Sequence, residues 1–485
     1  MLNNTDAGWP QKPLSEVVDL NPRLDKSAYR DDLEVSFVPM AAVEAGSGRM
    51  EVSQTKYFAT VKKGYTPFRE SDVLLAKITP CMENGKMAVV PKLTNGLGFG
   101  STEFHVLRPR PDIEPRYVYH FVSSLSFRRE AAHYMSGAVG QKRVPTSFLE
   151  NALIPVPPFG QQKLIVAEIE KQFSRLDEAV ANLKCVKANL KRYKASVLKA
   201  AVEGKLTEDW RKQHPNTEPA SKLLERILAE RRAKWNGRGK YKEPAKPDTN
   251  NLPSLPEKWI WATVDQLTAM VTSGSRGWGE YYSHTGPLFI RAQDIKTDSL
   301  TLQTIARVSI PNNAEGTRTA VTKGDILITI TGANVTKSAL VKQLGEQAFV
   351  SQHVALLKPS LASVSTYLFT WVVSPEHGRK MLERWAYGAG KPGLSLNQVR
   401  GLPVALPPLA EQNQITAEVE RRLSVIEELE ATVEANLTRA DHLRQAILQR
   451  AFSGRLLSEK GHAGFSDSHM PLLAAESVSP YGVRS

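Results

Sequence analysis

The chain has 485 residues, of which 41% are hydrophobic and 23% are charged, so it is long enough for about three folding units of an ordinary globular protein. Its formal net charge is +13, which favours a polyanionic partner such as nucleic acid over an acidic or neutral one. The two cysteines, Cys81 and Cys185, lie far apart, which excludes a disulfide framework and a cysteine-rich zinc site and fits a reducing cytoplasm.

The N-terminal sequence contains no basic, apolar signal segment, and no uninterrupted apolar run approaches the length of a membrane span. We therefore expect a chain that is neither exported by that route nor inserted in a membrane.

Residues 1–158 form the first predicted globular unit. Short strand-like runs at 34–41 and 71–79 are separated by Gly, Pro and Asn turns, and a helical pattern follows at 116–126. The unit ends in a Gly-rich basic loop at 136–144, a strand and the Pro157-Pro158 pair. Mixed strand and helix signals of this kind predict an α+β fold.

A long helix is predicted over 159–206, and a segment of different composition follows at 207–256. This segment contains a short basic amphipathic helix at 220–236 and a polar run with the sequence GRGKYKEPAKP, which we expect to remain loosely ordered. Its basic residues are expected either to contact phosphate or to be solvated, and solvation is the simpler alternative. The chain continues with a second globular unit at 257–408, a second long helix at 409–457, and a Ser-, Gly- and Ala-rich tail at 458–485 that is predicted to be disordered.

The second half of the chain repeats the plan of the first at an offset of 250 residues (412 − 162 for the glutamines Gln162 and Gln412). The helix starts VPPFGQQKLI and LPPLAEQNQI align without a gap, and the alignment continues to the helix-ending glycines Gly204 and Gly454. The globular units align in phase as well, because Trp259 corresponds to Trp9. A repeat over this distance predicts pseudo-symmetry.

Both long helices carry a narrow apolar stripe in steps of three and four, which is the pattern of a coiled-coil seam. Neither helix buries its stripe alone, so we expect the two to pack against each other along roughly 60 Å. Two unrelated helices in separate bundles are the alternative. The predicted seam positions are Leu176, Val180, Leu183, Leu190, Ile426, Val433, Leu443 and Ile447.

No catalytic motif is found in the sequence. It lacks H-E-x-x-H, paired Cys-x-x-Cys, G-x-S-x-G and a G-x-G-x-x-G after a strand, and the ten histidines are scattered. Asn21-Pro22 resembles the start of the base-flipping motif of amino-methyltransferases, but the second proline and the aromatic residue are missing, so we interpret it as a turn. We expect no catalytic residue and no metal site.

Polar side chains cluster instead on turns beside the predicted strands of both units. Arg and Lys suit guanine edges or phosphates, and Asn and Gln suit adenine, so such clusters can read bases, although ordinary loop polarity is the alternative. The candidate DNA-binding residues are Arg69, Lys77, Thr79, Asn84, Lys86, Gln141, Lys142 and Arg143 in the first unit and Arg291, Gln293, Asp294, Thr331, Asn334, Lys337 and Lys391 in the second.

The sequence resembles the specificity subunits of type I restriction-modification systems, the HsdS family. The resemblance rests on the Gly-rich stretches 137–144 and 388–395, the P-P-x-x-x-Q-x-x-I start of each long helix, the stretch KLTEDWR at 205–211 and, above all, the doubled layout. Gln161 departs from the pattern, since the second copy has Glu411 there.

The resemblance implies two pseudo-symmetric target recognition domains joined by two long antiparallel coiled-coil helices. It implies a non-catalytic subunit that reads a bipartite, asymmetric target in double-stranded DNA, with the helices setting the gap between half-sites about one helical turn, or roughly 34 Å, apart. The implied partners in the prokaryotic cytoplasm are two modification (methyltransferase) subunits and two restriction (translocase and nuclease) subunits. S-adenosylmethionine, ATP and Mg²⁺ would be bound by those subunits, and no cofactor by this chain.

Two other functional classes remain open from the sequence. A stand-alone DNA-binding regulator would bind a specific sequence without any methyltransferase subunit. A structural coiled-coil adaptor would lack salt-sensitive DNA binding. A self-contained nuclease is disfavoured because no acidic cluster has metal-ligand spacing.

Overall fold

The computed structural model describes residues 8–138, 140–235, 240–301, 306–310, 317–388, 390 and 392–457. The chain divides into two compact units. The first consists of Met1–Leu183 with Ala435–Ser485, and the second consists of Lys184–Glu434. Each long helix therefore contributes one half to each unit.

The strands of the first unit are short and form two four-stranded sheets and a two-stranded pair. Its strands are β1 (Gln11–Pro13), β2 (Val18–Leu20), β3 (Glu34–Val38), β4 (Thr55–Tyr57), β5 (Thr66–Arg69), β6 (Val73–Ala76), β7 (Met87–Val89), β8 (Leu97–Gly100), β9 (Phe104–Pro109) and β10 (Leu153–Pro155). They form an antiparallel sheet in the order β2-β9-β6-β7, a sheet in the order β4-β3-β8-β5 with a parallel β3–β8 pair, and the pair β1–β10.

Helices pack against both sheets of the first unit. They are α1 (Leu14–Val17), α2 (Phe58–Val61), α3 (Pro115–Ser123), α4 (Leu125–Tyr134), α5 (Thr146–Asn151) and the long α6 (Phe159–Val202). The core of this unit contains side chains from sheet and helices together with Phe452, from the C-terminal end of the second long helix. Its ring lies 5.2 Å from Tyr117 and 5.3 Å from Phe121, centroid to centroid.

The second unit repeats this arrangement. Its elements are α7 (Glu208–Gln213), α8 (Ala220–Ala233), β11 (Ile260–Thr263), α9 (Val264–Leu267), β12 (Thr268–Ser273), β13 (Tyr282–Ile290), β14 (Ile295–Lys296), β15 (Ser299–Leu300), β16 (Ala306–Val308), β17 (Ile326–Thr329), β18 (Ser338–Leu340), β19 (Ala348–Val350), β20 (Val354–Pro359), α10 (Ser365–Val373), α11 (Gly378–Trp385), α12 (Leu396–Arg400), β21 (Pro403–Leu406) and the long α13 (Leu409–Phe452).

The two units share most of their topology, although the sheet with the parallel pair has four strands in the first unit and three, in the order β16-β13-β19, in the second. The sheet order β12-β20-β17-β18 matches β2-β9-β6-β7, the parallel pair β13–β19 matches β3–β8, and β11–β21 matches β1–β10. Individual contacts repeat too, since the Tyr117 hydroxyl donates to the Pro155 carbonyl at 2.9 Å and the Tyr367 hydroxyl to the Ala405 carbonyl at 2.6 Å. The predicted class, two pseudo-symmetric domains of mixed helix and sheet with two long helices, is confirmed.

A glutamine explains the motif at the start of both long helices. The first N–H groups of a helix have no partner within the helix, so proline, which has no N–H, is tolerated at a helix start. The carbonyl groups of the preceding residues still need hydrogen-bond donors. The buried Gln162 amide donates to the Pro157 carbonyl at 2.9 Å, and Gln412 donates to the Pro407 carbonyl at 2.8 Å. At the other end, Gly204 adopts φ +72°, and a Cβ there would lie 2.6 Å from the Arg211 guanidinium. Glycine therefore ends α6, as the sequence predicts.

The helix halves pair antiparallel within each unit. In the first unit Arg444 of α13 forms an ion pair with Asp177 of α6, and in the second unit Glu434 pairs with Lys187. Lys187 lies ten residues after Asp177 along α6, whereas its partner Glu434 lies ten residues before Arg444 along α13. The paired residues therefore run in opposite directions along the two helices. Of the predicted seam positions, Leu190, Ile426 and Val433 are buried, and Leu176, Val180, Leu183 and Ile447 are half-buried.

Leu443 is a correction to the predicted seam, because its side chain is 45% exposed. The buried face of α13 passes through Ala440 and Leu448 instead. Between them, the Arg444 guanidinium lies 4.3 Å from the centre of the Phe173 ring and occupies the place that the heptad pattern assigned to leucine. A cation over an aromatic face can fill a seam position because its stem is apolar.

The expectation for the basic residues of the linker helix is partly corrected. Helix α8 packs into the core of the second unit through Leu223 and Ile227, which are buried. Its Arg231 is neither solvated nor free for phosphate, since the guanidinium donates to the Thr268 carbonyl at 3.0 Å and to the Tyr241 hydroxyl at 2.9 Å. Residues 240–256, between α8 and β11, have no regular secondary structure. Residues 236–239 and the predicted tail at 458–485 lie outside the described residues.

A buried histidine is expected to make the first unit acid-sensitive. His120 is 5% exposed, and neither ring nitrogen has a hydrogen-bond partner among the described residues. Burial, with a smaller contribution from Arg116 and Arg444, lowers the pKa of His120 to about 4. The unfolded chain therefore binds a proton here between the ordinary histidine pKa and pH 4, whereas the folded chain does not, so stability falls as the pH decreases.

We expect His120→Phe to remove this pH dependence of stability, because phenylalanine does not titrate. Phenylalanine also preserves the ring contacts with Tyr119 and Phe173. The wild-type free energy of unfolding should fall by about 2 kcal/mol more than that of the variant between pH 8 and pH 5. Denaturant titrations at several pH values measure the difference. The exposed His133→Phe is the control, and an equal pH dependence in wild type and His120→Phe would contradict the assignment.

Candidate nucleic-acid interface

In the first unit, the Gly-rich loop is a hairpin bonded to the segment that continues β6. Ser136 and Arg143 exchange backbone hydrogen bonds across the hairpin. The Thr79 N–H donates to the Lys142 carbonyl at 2.9 Å, and the Val144 N–H donates to the Lys77 carbonyl at 2.8 Å. Sequence-distant candidates are thereby brought onto one surface. We call residues 77–86 and 136–144 the first loop module.

Gly137 makes this hairpin possible. Its φ is +126°, and a Cβ there would lie 2.9 Å from the Gln141 carbonyl oxygen. A side chain at this position would open the hairpin, because the contact is with backbone rather than with a flexible group.

The candidate side chains of the hairpin differ in how they are engaged. Arg143 forms a bidentate pair with Glu103, with its Nη2 2.9 Å and its Nε 3.0 Å from the carboxylate oxygens. This hydrogen bonding from Arg143 lowers the pKa of Glu103. Gln141 and Lys142 are exposed, and no side-chain hydrogen bond of either is seen among the described residues. Gln141 and Lys142 are thus the side chains of the hairpin that are available to a ligand.

The turn after β6 carries three further candidates. Asn84 is exposed, whereas the Lys86 ammonium donates to the Met40 carbonyl at 3.0 Å and supports the neighbouring loop. Thr79 is half-buried, and its hydroxyl lies 3.8 Å from the Met135 sulfur. The turn therefore presents one amide freely and holds the other two side chains partly inside.

Arg69 is not part of this surface. It lies at the end of β5 beside Asp72, which precedes β6, whereas Lys77 follows β6. Its guanidinium is 3.3 Å from the Tyr29 hydroxyl. The strand separates the two positions, so the sequence proximity of Arg69 and Lys77 does not make them neighbours.

The second unit has a corresponding second loop module, formed by residues 331–337 and 387–394. The Gly332 N–H donates to the Pro392 carbonyl at 2.9 Å, the Leu394 N–H donates to the Ile330 carbonyl at 2.8 Å, and Tyr387 exchanges backbone bonds with Gly393. Thr331 lies at this junction and is bridged to Gly393. Lys391, the predicted cation of this loop, lies outside the described residues.

The turn after β13 adjoins this module, since the Asn334 amide is 3.4 Å from the Ala292 carbonyl. Lys337 donates to the Asn334 side chain at 2.8 Å, and Gln293 is exposed. These side chains share a surface with Thr331, as the sequence clustering suggested.

Asp294 is a correction to the candidate surface. It is 3% exposed, and its carboxylate accepts from the Arg291 backbone N–H at 2.9 Å and from the Arg291 guanidinium at 3.0 and 3.1 Å. Because the carboxylate is buried and caps its own turn in this way, it is not presented to a base. The same bonds hold Arg291 against the turn.

Within the described residues, no cluster of three His, Cys, Asp or Glu side chains could hold a metal ion. No helix in the described part of the chain is long and apolar enough to cross a membrane. The first module is a backbone-anchored pair of loops with the exposed side chains Asn84, Gln141 and Lys142, and the exposed Gln293 adjoins the second module. Exposed amides and cations of this kind suit a nucleic-acid-reading surface.

The comparisons with known proteins agree with this class. Residues 7–192 match the family model described as the type I restriction modification DNA specificity domain. The chain is 27% identical to the specificity subunit of the type I restriction enzyme EcoEI of Escherichia coli, over 92% of this chain and 83% of the relative. It is 28% identical to the EcoAI specificity subunit of the same organism, over 92% and 82%.

A solved chain from a study of complex assembly and conformational transition of the type I R-M system shares the fold. The TM-score is 0.64 at 22% identity, with 92% of this chain and 98% of that chain covered. Residues 7–192 and the similarity along 92% of the chain point to the DNA-recognition class. The chain is similar to the specificity (HsdS) subunits of type I restriction-modification systems, and this similarity supports a role in DNA sequence specificity.

Proposed function

We propose that this chain reads a two-part asymmetric DNA sequence, with one loop module addressing each half. The observation that carries the proposal is the repetition of one construction, a Gly-rich hairpin bonded to the segment after a central strand, with different side chains in each copy. Equal scaffolds place the two modules on equivalent parts of their domains. Unequal side chains make the two half-sites different.

We further propose that the chain itself is non-catalytic and works as the recognition subunit of an assembly in the prokaryotic cytoplasm. Its relatives are subunits of type I restriction enzymes, which supports a multi-subunit assembly. Two quasi-equivalent domains offer two quasi-equivalent docking surfaces, and this supports two modification subunits and two restriction subunits. S-adenosylmethionine, ATP and Mg²⁺ would be bound by those partners.

The first loop module provides a direct test. The double variant Gln141→Ala with Lys142→Ala removes the exposed hairpin side chains without touching the Arg143–Glu103 pair. We expect binding to targets with the correct first half-site to weaken about tenfold or more, since one good base contact is worth about 1–3 kcal/mol. Binding to a panel of DNA duplexes with single base changes measures the effect.

The exposed lysine Lys63, outside the module, provides the control Lys63→Ala, which should leave the sequence preference unchanged. Discrimination at the second half-site should also be unaffected in the double variant. A change confined to the second half-site would contradict the assignment of the first module to the first half-site.

A further inference from the structure

A second basic surface of the first unit lies beside the loop module. It is an open groove of about 510 Å³ between the turn at residues 21–26 and the ends of β6 and β9. Arg23, Lys26 and Lys77 line it, together with the hydroxyl-bearing Thr146 and the ring of Tyr65. Its lining includes no Asp or Glu side chain. Of the lining residues, only Lys77 is among the candidate DNA-binding residues of the sequence analysis, and Asn21-Pro22 was interpreted there as a turn.

The three cations of the groove are available. Arg23 and Lys26 are exposed, Lys77 is half-buried, and no hydrogen bond or ion pair of these charged groups is seen within the described ranges. The nearby Glu103 carboxylate is held by the bidentate Arg143 pair. The lining side chains thus carry three positive charges and no negative one, although the charge of Glu103 also acts on Lys77, and such a surface attracts anions.

The groove is built on a hydrogen-bonded frame. The Asn21 side-chain amide donates to His105 Nδ1 at 3.1 Å and its Oδ1 accepts from the Val106 N–H at 3.0 Å, while His105 Nε2 donates to the Val144 carbonyl at 2.9 Å. These bonds require the neutral imidazole with its proton on Nε2. His105 is buried, and burial lowers its pKa, so the neutral form persists.

This frame joins the groove to the recognition hairpin. Asn21 adopts φ +49°, which asparagine tolerates better than most residues, and it starts the turn that carries Arg23 and Lys26. Val144 ends the hairpin that carries Gln141 and Lys142. The Asn21–His105–Val144 chain therefore fixes the basic turn relative to the hairpin, and a ligand held by one is placed for the other.

We propose that this groove binds the phosphodiester backbone of DNA next to the first half-site. The inference rests on the proposed function, which it deepens by separating the group that positions the duplex from the loop that reads it. Phosphate contacts fix the register and orientation of a protein on DNA but carry no base information directly. The groove after β12 in the second unit has Glu280 in its lining, so the proposal concerns the first unit only.

The test compares the double variant Arg23→Ala with Lys26→Ala and a control that removes the same charge elsewhere in the unit. Lys92→Ala with Arg129→Ala is matched in residue types, because both side chains are exposed and neither lines the groove. Lys92 follows β7 at the end of the sheet opposite Lys77, and Arg129 lies on α4. All changed residues are on the surface, and circular dichroism checks that both variants fold.

Full-length protein is titrated with specific and nonspecific duplexes between 50 and 200 mM salt. We expect the slope of log K against log salt to fall by about two in the groove variant, since each phosphate contact contributes about 0.9. Between 50 and 200 mM salt, the groove variant should then lose about tenfold less affinity for DNA than the wild type loses. The preference for the specific duplex stays unchanged, and the control keeps the wild-type slope.

The outcomes separate the two proposals. A groove variant with the same slope as wild type and control overturns the phosphate site, even if specific binding is present. If wild type shows no sequence preference but the groove variant still lowers the slope, the phosphate site stands and the proposed reading function fails. Inorganic phosphate and a mononucleotide serve as further probes, and groove-dependent binding of either one without a change in the DNA slope would overturn DNA as the source of the phosphate.

Discussion

Replacing Glu411 by alanine is expected to lower the free energy of unfolding by about 3–5 kcal/mol, because it leaves a guanidinium uncompensated in a mostly buried site. Glu411 is 1% exposed at the start of α13. One carboxylate oxygen accepts from Arg211 at 2.8 and 3.0 Å and from the Thr207 hydroxyl at 2.7 Å. The other accepts from the Trp259 indole at 2.8 Å. The carboxylate thus joins α13 to the segment after α6 and to the start of β11.

The pseudo-repeat supplies a matched control. Gln161 occupies the equivalent position at the start of α6 but is exposed, so Gln161→Ala should change the free energy of unfolding by less than about 0.5 kcal/mol. Denaturant titration of the full chain, followed by tryptophan fluorescence, measures both variants. Equal, small effects would show that the buried carboxylate cluster contributes little to stability.

Inserting one heptad into each long helix is expected to lengthen the unspecified gap of the DNA target by up to about three base pairs. Seven residues add about 10 Å to a helix, and DNA rises about 3.4 Å per base pair. The insertions belong at residues 178–186 of α6 and 435–443 of α13. These stretches lie between the pairs Asp177–Arg444 and Lys187–Glu434, so both pairs and the phase of the apolar stripes are retained.

The readout is the DNA motif methylated in cells that contain the variant and its partner methyltransferase. Methylation of the original target should be lost, and a motif with the same two half-sites and a longer gap should appear. A heptad inserted in α6 alone is the control and should abolish methylation of both, because the helices can no longer pair in register. Altered half-sites with an unchanged gap would contradict the proposed role of the helices.

The long helices could be predicted from sequence because their signals are local. A gapless repeat, a proline pair before each start, a glycine after each end and a narrow apolar stripe all agree, and the observed helices run from Phe159 to Val202 and from Leu409 to Phe452. Leu443 was misassigned because a heptad pattern alone does not show that Arg444, lying over Phe173, takes the buried place.

For the interiors of the domains, the sequence predicted the α+β class but not the pairing of the strands. Most strands have three to six residues, and their partners are distant in sequence, as in the pairing of Gln11 with Pro155. Helix α8 has the pattern of a solvated linker helix, and only the tertiary structure shows Leu223 and Ile227 in the core. The difference between Gln161 and Glu411 was visible in the sequence, but its cause lies in Arg211, 200 residues away.

The candidate site was predicted as a set of loops rather than as a set of side-chain roles. Backbone pairing brings Lys77 and Thr79 to the hairpin that carries Lys142, as the clustering suggested. Intramolecular partners could not be foreseen, so Asp294 was wrongly included. The groove beside Arg23 was missed, because its residues are scattered over the first 146 positions and meet only in the folded chain.

The most direct test of the proposed function is co-expression of this chain with the adenine methyltransferase encoded nearest to it, followed by single-molecule sequencing of methylated adenines in the host DNA. We expect the two proteins to copurify and the DNA to carry one split asymmetric motif with methyladenine in both halves. A copurifying complex that methylates no such motif, or a chain that forms no complex with the methyltransferase, would contradict the proposal.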